Sequence, residues 1–199
     1  MHMKVIAFNG SAKKDGNTAI LLKKILRTME AEAIHTELYQ MAGKPIKGCL
    51  ACGTCGELKN RKCVQNDDIL NECLEKMLNA DAIILGSPVY FAGPSGQLKC
   101  LIDRAGYVAR ANGDMLRRKV GAAVVAVRRA GAIHAFDSMN HFFLSAQMIV
   151  VGSNYWNIGI GRRPGDVERD EEGMETMTTL GLKMAWALKR LCPKQDLTK

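Results

Sequence analysis

Short strand-like segments alternate with longer helix-like ones along most of the chain, and this alternation limits the fold more than any other feature. Lys4 to Asn9 (KVIAFN) reads as a short buried strand, and the polar GSAKKDGNT after it leads into a helix through about Met29. His35 to Met41 alternates as a second strand, and AIILGSPVY, from Ala82, is a third strand running into a Gly/Pro turn. Between them Ile69, Leu70, Cys73, Leu74, Met77 and Leu78 recur at helical spacing behind Asn66, Asp67 and Asp68, which suit a helix start. Ser95 to about Arg110 is helical, Val120 to Arg128 is the strongest strand signal, Ile133 to Gln147 is helical, and Met148 to Gly152 is a fifth strand. This succession predicts an α/β fold, a doubly wound five-stranded parallel sheet with helices on both faces.

From Asn154 to Gly173 the chain is rich in Gly, Pro and charge without a period, and reads as a long loop. The last helix, about Gly173 to Leu191, opens after Glu168, Asp170, Glu171 and Glu172 and closes with Lys189 and Arg190, the charge order a helix dipole favours. Its stripe of Met174, Met177, Leu180, Met184, Leu188 and Leu191 reads as core packing. The 199 residues suffice for one sizeable core, so residues 1–199 are expected to form a single domain with a cysteine-rich loop at about 47–66. The longest apolar run, Val120 to Val127, has the length of a strand, far short of the roughly 20 residues that span a bilayer. MHMK leads straight into the first strand and leaves no room for a secretion signal. A cytoplasmic protein with reduced thiols is therefore expected, with no membrane association.

A formal net charge of +8 favours anionic partners. The basic residues come as scattered pairs (Lys13-Lys14, Lys23-Lys24, Arg117-Arg118, Arg128-Arg129, Arg162-Arg163) and form no single arm, which argues against nucleic acid. There is no hydrolase elbow and no H-E-x-x-H, and His2, His35, His134 and His141 show no metal spacing. Ligands of an open parallel sheet sit at the carboxyl ends of its strands. The loop leaving the first strand, Gly10 to Thr18, offers hydroxyls at Ser11 and Thr18, an amide at Asn17, a helix N-terminus, and charge at Lys13 or Lys14, all suited to a phosphate. The plainer alternative for this segment is a polar turn with an ordinary Asn or Thr cap. The turn after the third strand, Gly86 to Pro94, offers backbone N–H groups and the faces of Tyr90 and Phe91 to a flat heterocycle, unless both aromatics are core.

Together these two elements resemble a known family. GSxxxxGNT after the first strand, GSPVYF after the third, and QLKxxIDR at Gln97 to Arg104 are similar to the NADPH-dependent FMN reductase group of flavodoxin-like proteins. The resemblance implies that Ser11, Lys13, Gly16, Asn17 and Thr18 hold the FMN phosphate and that Pro88, Val89, Tyr90, Phe91 and Gly93 border the isoalloxazine. It brings Arg128, Arg129 and Gly131, in the turn after the fourth strand, to the flavin as well. The two arginines could instead serve a phosphate of NADPH or a subunit contact.

Cys49-x2-Cys52-x2-Cys55-x7-Cys63 puts four thiols within fifteen residues. A cubane cluster needs four soft ligands around one small body, and a tight C-x2-C-x2-C run suits three of its corners. Structural zinc more often uses two separated C-x2-C pairs, and free thiols or a disulfide formed on oxidation are the plainer alternatives. Lys47, Lys59, Arg61 and Lys62 nearby would favour the thiolate form. The segment resembles the cysteine loop of the iron-sulfur flavoprotein branch of the same family, including the Asp67-Asp68 that follows, which implies a [4Fe–4S] cluster on Cys49, Cys52, Cys55 and Cys63. Cys73 and Cys100 read as small buried residues, and Cys192 as incidental.

The expected function is an FMN-containing, NAD(P)H-dependent FMN reductase-like oxidoreductase, an electron-transfer flavoprotein of the iron-sulfur type in which the flavin carries the chemistry and no catalytic acid–base pair is needed. The alternatives are a cluster-free NAD(P)H-dependent FMN, quinone or azo-compound reductase and a pure electron carrier. Implied partners are NAD(P)H or a ferredoxin-like donor, a small-molecule or protein acceptor, and further copies of the chain in a homodimer or homotetramer.

Overall fold

A computed structural model describes residues 3–191; His2 and Cys192 lie outside the described residues. The strands are β1 (Lys4–Asn9), β2 (His35–Gln40), β3 (Ala82–Pro88), β4 (Val120–Val127), β5 (Ile149–Val150) and β6 (Ile158–Ile160). They form one parallel sheet in the order β2-β1-β3-β4-β5, with β6 also paired to β4. That order is the flavodoxin-like doubly wound one. The helices are α1 (Asn17–Ala31), α2 (Thr54–Leu58), α3 (Leu70–Leu78), α4 (Gly96–Ala111), α5 (Ala132–Ser145) and α6 (Glu171–Leu191).

The central strands are buried on both faces, which is why they read as continuous apolar runs. Their side chains alternate between two cores. Ile6, Phe8, Ile83, Leu85, Ala123 and Val125 pack on one face with Leu74, Leu101 and Phe143 of α3, α4 and α5. Val5, Ala7, Ile84, Val120, Ala122 and Val124 pack on the other with Leu22, Ile25, Leu180 and Met184 of α1 and α6. The predicted α6 stripe is core at Met177, Leu180, Met184 and Leu188, while Leu191 is exposed. Among the described residues no helix is long and apolar enough to cross a membrane.

The fifth strand position departs from expectation. Met148 to Gly152 supplies only the two residues of β5, and the expected loop from Asn154 to Gly173 contains β6 and a 3-10 turn at Asp166–Arg169. β5 pairs with Val120 and Gly121, β6 pairs with Val125 to Val127, and between them the chain leaves the sheet, carrying the exposed rings of Tyr155 and Trp156, which meet at a tilt of 52°. Buried Asn157 closes the gap, its Nδ2 donating to Ala123 O at 3.0 Å while its carbonyl accepts from Val125 N at 2.9 Å. A side-chain amide thus replaces a ladder bond. Three residues interrupted by a glycine are too few to show a period. α6 opens at Glu171, two residues before the expected start, and α2 lies inside the cysteine segment where no helix was expected.

Candidate functional site

The loops leaving β1, β3, β4 and β6 converge at the carboxyl edge of the sheet. Gly10 N donates to Gly86 O at 2.8 Å, Val89 N to Ala126 O at 3.1 Å, and Gly161 N to Val127 O at 2.8 Å, so each loop is tied to the strand beside it. The first loop is fixed from within. Asn9 Nδ2 donates to Gln40 Oε1 at 2.5 Å, Asn9 Oδ1 accepts from Ser11 N at 3.1 Å, Ser11 Oγ accepts from Lys13 N at 3.1 Å, and Gln40 Nε2 donates to Ser11 O at 3.1 Å. Asn9 and Gln40 thereby shape a loop in which sequence alone singled out neither. No side chain caps α1 at Gly16 and no acid stands in its first turn, so the helix N-terminus keeps the donors and positive potential that suit an anion. Ser11 and Thr18 are buried beside it, whereas Lys13 is exposed. The Asn17 side-chain Oδ1 is already engaged, accepting from Gly165 N at 2.9 Å, so its first partner is the loop after β6. Nothing in the sequence joins residues 17 and 165.

The β3 loop turns back on itself, Tyr90 and Gly93 exchanging backbone hydrogen bonds at 2.9 Å in both directions. Phe91 and Ala92 at its tip have φ of 48° and 62°, the positive values a tight I′-type turn requires and that only glycine adopts without cost. Phe91 is fully exposed and Tyr90 half exposed, so these aromatics are not core. A bulky residue held in a costly conformation with its ring in solvent suits a ligand contact better than packing. The β4 loop meets this tip. Gly131 has φ of +83°, and a Cβ there would stand 3.1 Å from Ala92 Cα and 3.3 Å from Val89 Cγ1. Gly131 also starts α5, which has no side-chain cap, while the Arg128 and Arg129 side chains are exposed. The expected flavin residues therefore stand on adjoining loops at one edge.

The cysteine segment lies apart, over α3 and α4. Cys49, Cys52, Cys55 and Cys63 all border one cavity of about 150 Å³, together with Arg104, Tyr107 and Val108 of α4. Among the described residues no three of these thiols share the coordination sphere of one ion. A cubane spreads its four thiolates over separate iron corners, so four thiols around a common cavity suit a cluster as donor set and as enclosure. Ala51 and Gly53, which line the cavity, have positive φ, as do Lys59 and Arg61 further along the segment, and Ala51 N donates to Cys49 Sγ at 3.4 Å.

Side chains from both helices hold the segment. Asn71 of α3 brackets Cys63, its Oδ1 accepting from Cys63 N at 2.8 Å and its Nδ2 donating to Cys63 O at 2.9 Å. Asn112, capping the end of α4, donates to Cys55 O at 3.1 Å and accepts from Arg61 N at 2.9 Å. Asp68 and Arg104 form an ion pair with no side-chain exposure, and Asp68 also accepts from Lys47 N at 2.8 Å and Leu70 N at 3.0 Å. Arg104 and Asp68 stand within sequence motifs that do not reveal this pairing, and Asn71 and Asn112 carry no local signal. At two of the thiols the shift has other causes than the lysines: the Thr54 hydroxyl lowers Cys52, and burial raises Cys55. The Lys47 ammonium pairs with Asp67 instead. Cys73 is buried and pushed up to about 12 by that burial, whereas Cys100 is only half buried.

A profile of the NADPH-dependent FMN reductase family matches residues 3–162. An iron-sulfur flavoprotein of Methanocaldococcus jannaschii is 43% identical over 194 residues, covering 94% of this chain and 98% of the relative. An iron-sulfur flavoprotein of Methanosarcina thermophila is 32% identical over 196 residues, 98% and 100% of the two chains. Among solved structures, a flavodoxin, WrbA-like protein from Agrobacterium tumefaciens superposes with a TM-score of 0.66 at 14% identity, covering 96% of this chain and 99% of that one. Motifs, sheet order and relatives agree, and the chain belongs to the NADPH-dependent FMN reductase family, as an oxidoreductase with a flavodoxin-like fold.

Proposed function

We propose that this chain holds FMN at the carboxyl edge of the sheet and a [4Fe–4S] cluster at the cysteine cavity, and passes electrons between a two-electron donor and one-electron partners. FMN supplies hydride acceptance and single-electron release, and the cluster carries one electron at a time. The chain's own residues bind and orient. Ser11, Lys13, Gly16, Asn17 and Thr18, with the uncapped start of α1, would take the phosphate. Pro88, Val89, Tyr90, Phe91, Gly93, Arg128, Arg129 and Gly131 would border the ring, the strained tip at Phe91 giving it a face and the arginines favouring its reduced, anionic form. Cys49, Cys52, Cys55 and Cys63 would ligate the cluster.

The observation that carries this reading is the coexistence of two built sites, an uncapped helix start among converging loops and a four-thiol cavity pinned by buried polar side chains. NAD(P)H is the donor the family suggests, with a ferredoxin-like protein in the same role, and the acceptor is a small molecule or a protein. Tyr107, 61% exposed, borders both the cysteine cavity and a second cavity of about 600 Å³ between α4 and α5, a surface for a further copy of the chain or an electron partner. The cytoplasm, where thiols stay reduced, is the matching compartment.

Reductive titration of anaerobically purified protein tests the reading. Uptake of about three electrons per chain, two by the flavin and one by the cluster, is the expected result. Uptake of about two with a pure flavin spectrum would leave a cluster-free NAD(P)H reductase, and no flavin would overturn both.

A further inference from the structure

Arg104 has a position that neither flavin binding nor sulfur ligation explains. It is 1% exposed, on the α4 face that also presents Tyr107 and Val108 to the cysteine cavity. Its guanidinium reaches both ends of the cysteine segment. Nη1 donates to Lys47 O at 3.1 Å and to the Asp68 carboxylate, and Nη2 donates to Gln65 O at 2.9 Å and to Cys63 Sγ at 3.3 Å. Nε is buried as well and has no partner among the described residues.

Asp68 and the two carbonyls would suffice for a purely structural arginine. The fourth bond goes to sulfur. A buried cation donating a hydrogen bond to a cluster thiolate stabilises the more negative, reduced state over the oxidised one, because the added electron increases the charge that the donor faces. Arginine suits this place, since its rigid fork serves four acceptors at once and its charge is never lost.

We propose that Arg104 is a positioning residue for the cluster of the preceding section, fixing Cys63 Sγ at the cavity wall and raising the cluster's reduction potential through its bond to that sulfur. The inference rests on the cluster reading. The step it tunes is the transfer of one electron from the reduced flavin to the cluster, with no bond made or broken.

Wild type, Arg104→Lys and Arg104→Gln, purified without oxygen, are to be compared for FMN, iron and sulfide per chain and for the cluster midpoint by mediated titration followed by electron paramagnetic resonance. Arg104→Lys keeps the charge opposite Asp68 but cannot serve all four acceptors. It should retain FMN and cluster with the reduction equilibrium weakened about tenfold, a midpoint about 59 mV lower for a one-electron couple. Arg104→Gln should keep FMN and either show a larger drop or lose iron. If Arg104→Gln does not fold, the Arg104→Lys midpoint decides. Loaded variants with an unchanged midpoint would overturn the role of Arg104 while the cluster reading stands. Wild type with flavin but no iron or sulfide would overturn the cluster reading, and this role with it.

Discussion

The carboxyl-edge loops and the cysteine segment are built on opposite principles. The loops are placed by the sheet, with backbone bonds such as Gly10 N to Gly86 O carrying strand register directly into the site. The cysteine segment has no strand, only the five residues of α2, and its position comes from Asp68, Arg104, Asn71 and Asn112 reaching in from neighbouring elements. A site tied in by strand register rests less on any one side chain than a site placed by a buried charged hub.

The largest expected break follows from removing one half of the hub. Asp68→Ala would leave the Arg104 guanidinium buried and unpaired, at a cost of about 3–5 kcal/mol in denaturant unfolding. Among the described residues the carboxyl-edge loops hold no such fully buried ion pair, so an equal loss from Ser11→Ala would abolish the contrast. Gly131→Ala should rank second. Its φ of +83° disfavours any Cβ by about 1–2 kcal/mol, and its contact with Ala92 should pass that strain to the β3 turn. FMN affinity, measured by fluorescence quenching, should weaken about tenfold with iron content unchanged. Ser11→Ala removes one hydroxyl from the phosphate loop, costing about 1 kcal/mol of flavin binding and little stability.

The smallest effect is one of pH. Burial pushes the Asp68 carboxyl up, but Arg104 and the N–H groups of Lys47 and Leu70 outweigh it and leave it below the usual range. Its folded value thus lies below its unfolded one. The stability it contributes is complete above about pH 4 and is lost as pH falls through the folded value. Thermal unfolding of wild type should therefore decline more steeply below about pH 4 than that of Asp68→Asn, and parallel curves would contradict the assignment.

The same contrast explains what the sequence made legible. The alternation of strand and helix and the loops at the strand ends follow from local pattern, since Val120 to Val127 and the GSxxxxGNT run show their burial and turn chemistry within a few residues. The cysteines were equally visible because thiol spacing is itself the signal. What stayed hidden depends on distant partners. Arg104 and Cys63 are 41 residues apart, Asn17 and Gly165 are 148 apart, and Asn157 acts only by filling a gap in the β4 ladder. No local period records such pairs. The fifth strand was expected at Met148 to Gly152, but its interruption and β6 were missed for the same reason, the two short pieces being defined by β4 and not by their own residues.

Both regions are proposed as cofactor sites in one chain. Iron and acid-labile sulfide, measured against FMN in protein purified without oxygen, test this proposal most directly. About four of each per FMN are expected, falling together in a Cys55→Ser or Cys63→Ser variant that keeps its flavin. A full complement of FMN with neither iron nor sulfide in wild type would contradict it.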